Sequence, residues 1–216
     1  MYVFIYIILQ HQRPVSQTQE VVMASNIMFG NSEESQDYRC HYLRKNSSLP
    51  EVTAFTTFPV NSIFFIDSSC SGLTLRKACS VESAARANPE RQIVVLSTSP
   101  MNPENAIIKK LLSLNNTSVL RIHLENYAEE TPLDGKFRKK PLSFEDLNID
   151  LADILKFLTL YKYSGIYLSM DVIVARKFEG LLSNWVVNES PATMSSDMFC
   201  FSGNFNGRAM AHVALK

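Results

Sequence analysis

Short apolar runs alternate with helix-length segments through the middle of the chain. The runs at 63–66, 92–96 and 119–122 are rich in Ile, Val, Leu and Phe, which is typical of strands buried on both faces. Between them, the patterns at 75–87 and at about 102–114 predict helices. Because strands that alternate with such helices form βαβ units, the pattern predicts an α/β fold with a mainly parallel sheet flanked by helices.

Capping residues predict where the first two helices end and begin. Asn88-Pro89 stops the first helix, since the residue before a proline disfavours helical backbone. Asn102 is a good cap for the second helix, with Pro103 at its first position and Glu104 in its first turn. The second helix is therefore predicted to begin directly after Asn102.

The next helical segment, from 151 to 161, is the most apolar of the chain. Its apolar stripe leaves little polar surface, as expected of a helix that is buried on most sides. Asp153 and Lys156 nonetheless lie within it, three positions apart, so that their side chains can meet. Two interpretations stay open: a structural ion pair, or two polar groups directed into a ligand cleft.

A strand, a corner and a second strand are predicted after this helix. Gly165 can end the helix in the left-handed conformation, and 166–168 and 172–174 are short apolar runs typical of strands. The corner between them, Ser169-Met170-Asp171, lies at the carboxyl end of a strand, where parallel sheets bind ligands. A carboxylate there suits Mg²⁺ or Mn²⁺ held partly by substrate phosphates.

The first 60 residues are predicted to precede the folded domain. Residues 1–9 form an apolar run that is too short to span a bilayer, because a helix needs about 20 residues. This run is either a β-prone start or the tail end of a signal-anchor. Residues 10–60 are rich in Ser, Gln, Asn, Glu and Thr, which is typical of a linker. We therefore expect a stem over 1–60 and a globular domain over 61–216.

Composition excludes two kinds of phosphate-binding protein. The 21 basic and 21 acidic residues give a net charge of zero, which argues against a nucleic-acid partner. The chain has only 7 glycines and neither a G-x-G-x-x-G nor a P-loop pattern, which argues against a Gly-rich phosphate cradle.

The four cysteines, Cys40, Cys70, Cys79 and Cys200, match no zinc motif and allow three pairings if all are oxidised. A local Cys70–Cys79 disulfide is a candidate, because the two residues enclose a short loop that contains Gly72.

Four N-glycosylation sequons begin at Asn46, Asn115, Asn116 and Asn188. Together with the even number of cysteines, they favour a glycoprotein of the secretory-pathway lumen.

Two separated segments resemble one enzyme family. The segment from Ala152 to Asp171 resembles the donor-binding signature of the α-1,4-glycosyltransferases with a DxD sugar-binding motif. In that signature a helix with Asp and Arg leads through Gly-Gly-Ile-Tyr-Leu into Asp-x-Asp. The segment 78–86 is similar to the family's Cys-Ser-Val-Glu-Ser-Ala-Ala helix, and 63–70 is similar to its first strand and turn. The resemblance covers about residues 61–200.

The resemblance implies a GT-A-like (Rossmann-like) fold and a glycosyltransferase. Such an enzyme moves galactose or N-acetylgalactosamine from UDP-galactose or UDP-N-acetylgalactosamine to a galactose-terminated glycosphingolipid, forming an α-1,4 linkage with retention. The resemblance also implies Mn²⁺ or Mg²⁺ as cofactor and a single-pass type II position in the Golgi membrane. Family members continue through an acceptor-side region, so the chain is expected to be the donor-binding part of a longer enzyme, truncated at its C-terminus and with an incomplete anchor.

The resemblance further implies a donor-binding set that comprises Asp153, Lys156, Tyr167, Ser169 and Asp171. In this set Asp171 holds the metal, Lys156 contacts diphosphate oxygens, and Asp153 accepts hydrogen bonds from donor hydroxyls. Ser169 stands where the family has the first Asp of its motif, and Lys156 stands where it has Arg. One charge fewer weakens metal binding, and lysine lacks the bidentate fork of arginine.

Three interpretations therefore stay open at this stage: an active transferase, an impaired or inactive relative that keeps the fold and binds nucleotide-sugar, and an incomplete product of an active enzyme.

Overall fold

The structure is a computed structural model that describes residues 40–41, 49–137, 151–181, 183–190 and 193–216. The apolar run at 1–9, most of the predicted stem and the residues just before the apolar helix lie outside these ranges. Within them, no helix has the length and apolar character needed to cross a membrane.

The described residues form a sheet of six strands: β1 (Ile63–Asp67), β2 (Ile93–Ser97), β3 (Thr117–Arg121), β4 (Gly165–Leu168), β5 (Trp185–Ser190) and β6 (Thr193–Phe201). The helices in these ranges are α1 (Leu75–Ala87), α2 (Ala106–Leu112), α3 (Leu124–Tyr127), α4 (Leu151–Tyr163) and α5 (Phe205–Ala214).

The predicted α/β fold with its mainly parallel sheet is confirmed. The strand order is β3-β2-β1-β4-β6-β5, and the first four of these strands are mutually parallel. Every residue of β1, β2 and β4 is buried, as the apolar runs predicted. The hairpin β5–β6 extends the sheet with antiparallel pairing, which the apolar pattern did not predict.

The sheet separates two hydrophobic cores. Successive side chains of a strand point to opposite faces, so Ile63 and Phe65 pack on the side of α1, whereas Phe64 and Ile66 pack on the side of α4. The two helices therefore lie on opposite faces, and both reach the edge at which the parallel strands end.

The predicted start of α2 is wrong by a few residues. Asn102 closes a turn instead, because the amide of Asn105 donates to its carbonyl oxygen at 3.0 Å. Asn105 is the true cap, and its side chain accepts from the amide of Ile107 at 2.9 Å. Two asparagines in one segment each offered a cap, and the helix begins after the second.

The prediction of a strand at 172–174 is also wrong. This segment belongs to no strand, and its backbone forms hydrogen bonds with side chains of α1. The Ser80 hydroxyl donates to the carbonyl oxygen of Val172 at 2.5 Å, and the amide of Val174 donates to the Ser83 hydroxyl at 2.9 Å. The hydroxyls of Ser80 and Ser83 thus form the backbone hydrogen bonds that a neighbouring strand would otherwise form.

Ser164, and not Gly165, occupies the left-handed position after α4, with φ at 56°. Gly165 begins β4 with φ at 120°, and a Cβ added there would lie 2.5 Å from the carbonyl oxygen of Ser62. Glycine is therefore required at 165 because the backbones of β4 and the residue before β1 approach closely.

Part of the predicted stem lies against the sheet. Leu49 and Val52 are buried, and the residues between them run beside the end of β3. The amide of Val52 donates to the carbonyl oxygen of Arg121 at 2.8 Å. In return, the amide of Arg121 donates to the carbonyl oxygen of Pro50 at 2.9 Å.

The candidate Cys70–Cys79 disulfide is wrong. Cys70 is bonded to Cys40, thirty positions earlier, with the two Cα atoms 5.8 Å apart. Cys79 is free and lies on the exposed face of α1, whereas Cys200 is free and buried in β6. A short loop made the local pairing easy, but α1 turns Cys79 toward solvent.

Candidate functional site

Lys156 of α4 lies buried near the end of β4. Its side chain is 4% exposed, whereas that of its partner Asp153 is 58% exposed, so the acid end of the ion pair meets solvent and the ammonium lies beneath it. Lys156 Nζ donates to Asp153 Oδ1 and lies 3.4 Å from the carbonyl oxygen of Ser196. It also lies 5.4 Å and 5.9 Å from the ring centroids of Phe157 and Tyr167.

Tyr167 of β4 belongs to the aromatic packing beneath this pair. Its side chain is buried, and its ring centroid lies 5.2 Å from that of Phe199 on β6. The rings of Tyr167 and Phe157 give the Lys156 ammonium favourable cation–π contacts in a place where water is excluded. Three of the five predicted donor-site residues, Asp153, Lys156 and Tyr167, are thus brought together.

The corner after β4 is held by backbone bonds. The amide of Ser169 donates to the carbonyl oxygen of Asp197 on β6 at 2.7 Å, and the amide of Val172 donates to that of Ser169 at 3.1 Å. The amide of Asp171 donates to the Ser169 hydroxyl at 3.3 Å. Because the turn is fixed at both ends, the Asp171 side chain projects from a defined position.

Asp171 faces α1 and lies apart from the Asp153–Lys156 pair. Its Oδ1 lies 3.2 Å from Nη2 of Arg76 in the first turn of α1, and the two side chains are 72% and 55% exposed. An ion pair this exposed contributes little free energy, so the Asp171 carboxylate can exchange the guanidinium for another cation. Sequence reasoning missed Arg76, although it stands just before the segment that resembles the family helix.

The oxygen ligands at the corner fit a hard divalent cation such as Mg²⁺ or Mn²⁺. Asp171 offers an exposed carboxylate, and Ser169 offers a hydroxyl that accepts from the backbone amide of Asp171. Among the described residues, the group with the spacing of three metal ligands is a different one, Cys40, His41 and Cys70, and its two cysteines form the disulfide. A cation at Asp171 would therefore complete its coordination with water and substrate phosphates, as Mg²⁺ commonly does.

Asp197 is a second residue that the sequence analysis did not select. Asp197 is the residue before Met198, which pairs with Leu168 of β4. Its carbonyl oxygen therefore accepts from the amide of Ser169, the residue after Leu168. Alternation along β6 points its side chain to the same face as Phe199, which is the face of α4. Strand pairing thus brings an acidic residue, through its backbone, beside the position at which the family motif has its first Asp.

Asp67, at the end of β1, is a structural residue of the same edge. It is 1% exposed, and its Oδ1 accepts from Lys77 Nζ and from the Ser69 hydroxyl, each at 2.7 Å. The ion pair ties the first turn of α1 to the sheet. Burial lowers the pKa of the nearby His41 despite the Asp67 charge, and the His41 ring is hydrogen-bonded to the Thr98 hydroxyl at 2.8 Å.

An apolar groove of about 610 Å³ adjoins the Lys156 cluster. It lies between α4, β6 and α5, and Ser196, whose carbonyl oxygen is near Lys156 Nζ, lies on its wall. Its apolar lining includes Phe157, Phe199, Met194, Met210 and Val213.

Residues 74–190 match the family described as the glycosyltransferase sugar-binding region containing a DXD motif. The chain is 28% identical to mouse lactosylceramide 4-alpha-galactosyltransferase over 82% of its own length and 55% of the relative, and 32% identical to the rat protein over 70% and 43%. Human alpha-1,4-N-acetylglucosaminyltransferase is 27% identical over 57% and 38%. The chain thus spans about half the length of the curated relatives it matches.

A solved structure, PaToxG Glycosyltransferase, is similar over 74% of this chain and 61% of its own, with a TM-score of 0.45 and 15% identity. A likeness this low carries no conclusion. The family match is different, because it covers more than half of the chain and includes α1, α4, β4 and the Ser169–Asp171 corner. The chain therefore belongs to the family of glycosyltransferases whose sugar-binding region contains a DXD motif.

Proposed function

We propose that the chain is the donor-binding part of a hexosyltransferase. It takes galactose or N-acetylgalactosamine from the UDP-sugar and transfers it to a galactose-terminated glycosphingolipid, with an α-1,4 linkage and retention of configuration. The observation that carries this proposal is the Asp153–Lys156 pair, which is buried on its cationic side and exposed on its acidic side. The exposed Asp171 carboxylate, in the corner after β4, is the second part of the proposed site. The names of the mouse and rat relatives support the galactosyl donor and the lipid acceptor.

The chemical demand is the departure of a nucleoside diphosphate from an oxocarbenium-like centre. A divalent cation, Mn²⁺ or Mg²⁺, would offset the charge that develops on the diphosphate, and Asp171 is the residue proposed to hold it. Ser169 offers a hydroxyl in the same corner, where it accepts from the Asp171 amide. A cation held by Asp171 would take the place of the Arg76 guanidinium, which could then bind a phosphate oxygen.

Asp153 is the member of the buried pair that reaches solvent, so it accepts hydrogen bonds from hydroxyls of the donor. Lys156 holds the Asp153 carboxylate in place and adds positive charge in a region of low dielectric close to the diphosphate. Tyr167 supports the ammonium through its ring face. The groove beside Ser196 supports an acceptor with a lipid portion, because its walls are almost entirely apolar.

The same proposal includes a position in the Golgi membrane with the domain in the lumen. The Cys40–Cys70 disulfide supports it, because disulfides persist in oxidising compartments and are rare in the cytosol.

Calorimetric titration with UDP-galactose, with and without Mn²⁺, tests the donor site. We expect Mn²⁺ to strengthen binding and Asp171→Asn to abolish that dependence. Glu179→Gln is the matched control, because Glu179 is a 70% exposed carboxylate paired with Lys177. If Mn²⁺ has no effect on binding, or if Asp171→Asn behaves like the control, the assignment is wrong.

Ser169→Asp separates an active transferase from an impaired relative. The restored carboxylate should strengthen Mn²⁺ binding by about tenfold or more, since charge count tunes the affinity of such sites. A large gain in donor hydrolysis would favour the second candidate function, a relative that binds nucleotide-sugar but transfers it poorly. That candidate is motivated by Ser169 and by the Arg76–Asp171 ion pair. Unchanged hydrolysis with tighter Mn²⁺ binding would favour the active transferase.

A further inference from the structure

Two N-glycosylation sequons overlap in the turn between α2 and β3. Asn115 forms one sequon with Thr117, and Asn116 forms the other with Ser118. The two asparagines are neighbours in sequence, yet the fold gives their side chains opposite environments. Their sequence alone offers no basis for choosing between them.

The Asn116 side chain is a structural link. Its Nδ2 lies within hydrogen-bond distance of three carbonyl oxygens: 3.1 Å from that of Ala85, 3.0 Å from that of Asn88 and 3.1 Å from that of Arg91. These contacts join the end of α1 to the start of β3. A glycan on Nδ2 would replace one of its two hydrogens and place a sugar ring among three backbone carbonyls, so a chain modified at Asn116 cannot form this arrangement.

Asn115, one residue earlier, is exposed in the turn. A glycan on its side chain extends into solvent and displaces no hydrogen bond that the Asn116 side chain makes. The side chain of Thr117, which completes this sequon, is buried at the start of β3. The glycan must therefore be attached to Asn115 before the strand has formed.

We propose that Asn115 carries an N-linked glycan and that Asn116 remains unmodified. The proposal rests on the lumenal position given under the proposed function. In the modification, Asn115 Nδ2 forms a bond to C1 of an oligosaccharide as the bond between C1 and a lipid pyrophosphate oxygen breaks. The lipid pyrophosphate leaves, and one amide proton is lost.

Two substitutions separate the sequons without altering either asparagine. Thr117→Val removes the sequon of Asn115 but leaves Asn116-Val-Ser118 intact, and Ser118→Ala does the reverse. Thr117→Val should be tolerated, because Thr117 Oγ1 is buried and has no hydrogen-bond partner among the described residues. Ser118→Ala gives up only a hydrogen bond from Gln92 Nε2 at 3.2 Å.

The full chain, with an added cleavable secretion signal, is expressed in eukaryotic cells and then deglycosylated enzymatically in ¹⁸O water. Cleavage converts a glycosylated asparagine to labelled aspartate, and peptide fragmentation of the 111–121 tryptic peptide locates the label. We expect the label on Asn115 in the unaltered chain and in Ser118→Ala, and no label in this peptide in Thr117→Val.

A label on Asn116 in any of the three chains would overturn the proposal. So would the absence of a label on Asn115 in the unaltered chain or in Ser118→Ala. UDP-galactose binding is measured on the same preparations, so the glycan result and the donor-site result are read independently.

Discussion

Neutralising the two partners of the Asp153–Lys156 pair separately should change the free energy of unfolding by unequal amounts. The asymmetry follows from burial, because the Lys156 side chain is 4% exposed and that of Asp153 is 58% exposed. Asp153→Asn leaves an ammonium buried without its counter-charge. Lys156→Met leaves a carboxylate that water already solvates, and it fills the buried site with an apolar side chain of similar length.

The two environments lead to different changes in the free energy of unfolding. Removing one partner of a fully buried pair costs about 3–5 kcal/mol. Asp153 is largely exposed, so its charge is screened, and we expect Asp153→Asn to cost about 2–3 kcal/mol. The Ser196 carbonyl and the two aromatic rings remain in that variant and limit the loss. Lys156→Met should stay within about 1 kcal/mol of the unaltered chain, because the lost ion pair is offset by the lost desolvation penalty.

Urea unfolding, followed by circular dichroism and by fluorescence of the single tryptophan, measures the effect. With a slope of about 2–3 kcal/mol/M, Asp153→Asn should lower the midpoint by about 1 M. The double variant should return to the stability of Lys156→Met, since its buried charge is gone. If Lys156→Met destabilises the chain as much as Asp153→Asn, or if the double variant is the least stable, the reasoning about the buried ammonium is refuted.

Three further predictions use thermal unfolding or thiol labelling. Gly165→Ala should lower the midpoint temperature by at least about 4–8 °C, because a Cβ there would lie 2.5 Å from a carbonyl oxygen; Gly180→Ala, at φ 73° with open space around it, should cost less than half as much. A thiol reagent at pH 8 should modify the exposed Cys79 within minutes and Cys200 only after unfolding, because burial raises the pKa of the Cys200 thiol to about 11; equal rates would contradict this. Burial lowers the pKa of His41 in the folded chain, so the unfolded chain binds the proton more tightly and stability falls as the pH drops below the ordinary value of 6.5. His41→Gln should flatten the dependence of the midpoint on pH between about 5 and 7, and an unchanged slope would contradict this assignment.

Local pattern alone predicted a large part of the fold. Strands β1, β2 and β4 are visible as short apolar runs, because burial on both faces requires uninterrupted apolar side chains. Helix α4 is visible as an apolar stripe of helical spacing. The donor-site candidates came from the family resemblance, and Asp153 and Lys156 also stand out as two charges within the apolar stretch 151–161.

Contacts between distant segments decided the remainder. Serines of α1 bond to the segment at 172–174 and take the place of a strand partner, and β6 brings Asp197 beside Ser169. Neither relation leaves a signal in local sequence, because hydrogen-bond partners ninety or thirty residues away are set by packing.

The amino-acid sequence by itself determined the order of β1, α1, β2, α2, β3, α4 and β4 and, through two short motifs, indicated the glycosyltransferase family. Only the tertiary structure decided that Asp171 faces Arg76 while Lys156 lies beneath Asp153, that Cys70 pairs with Cys40, and that Asn116 is a structural link. The physical reason is the same in each case. Periodicity records whether a side chain is buried, but the identity of its partner depends on which elements the folded chain places side by side.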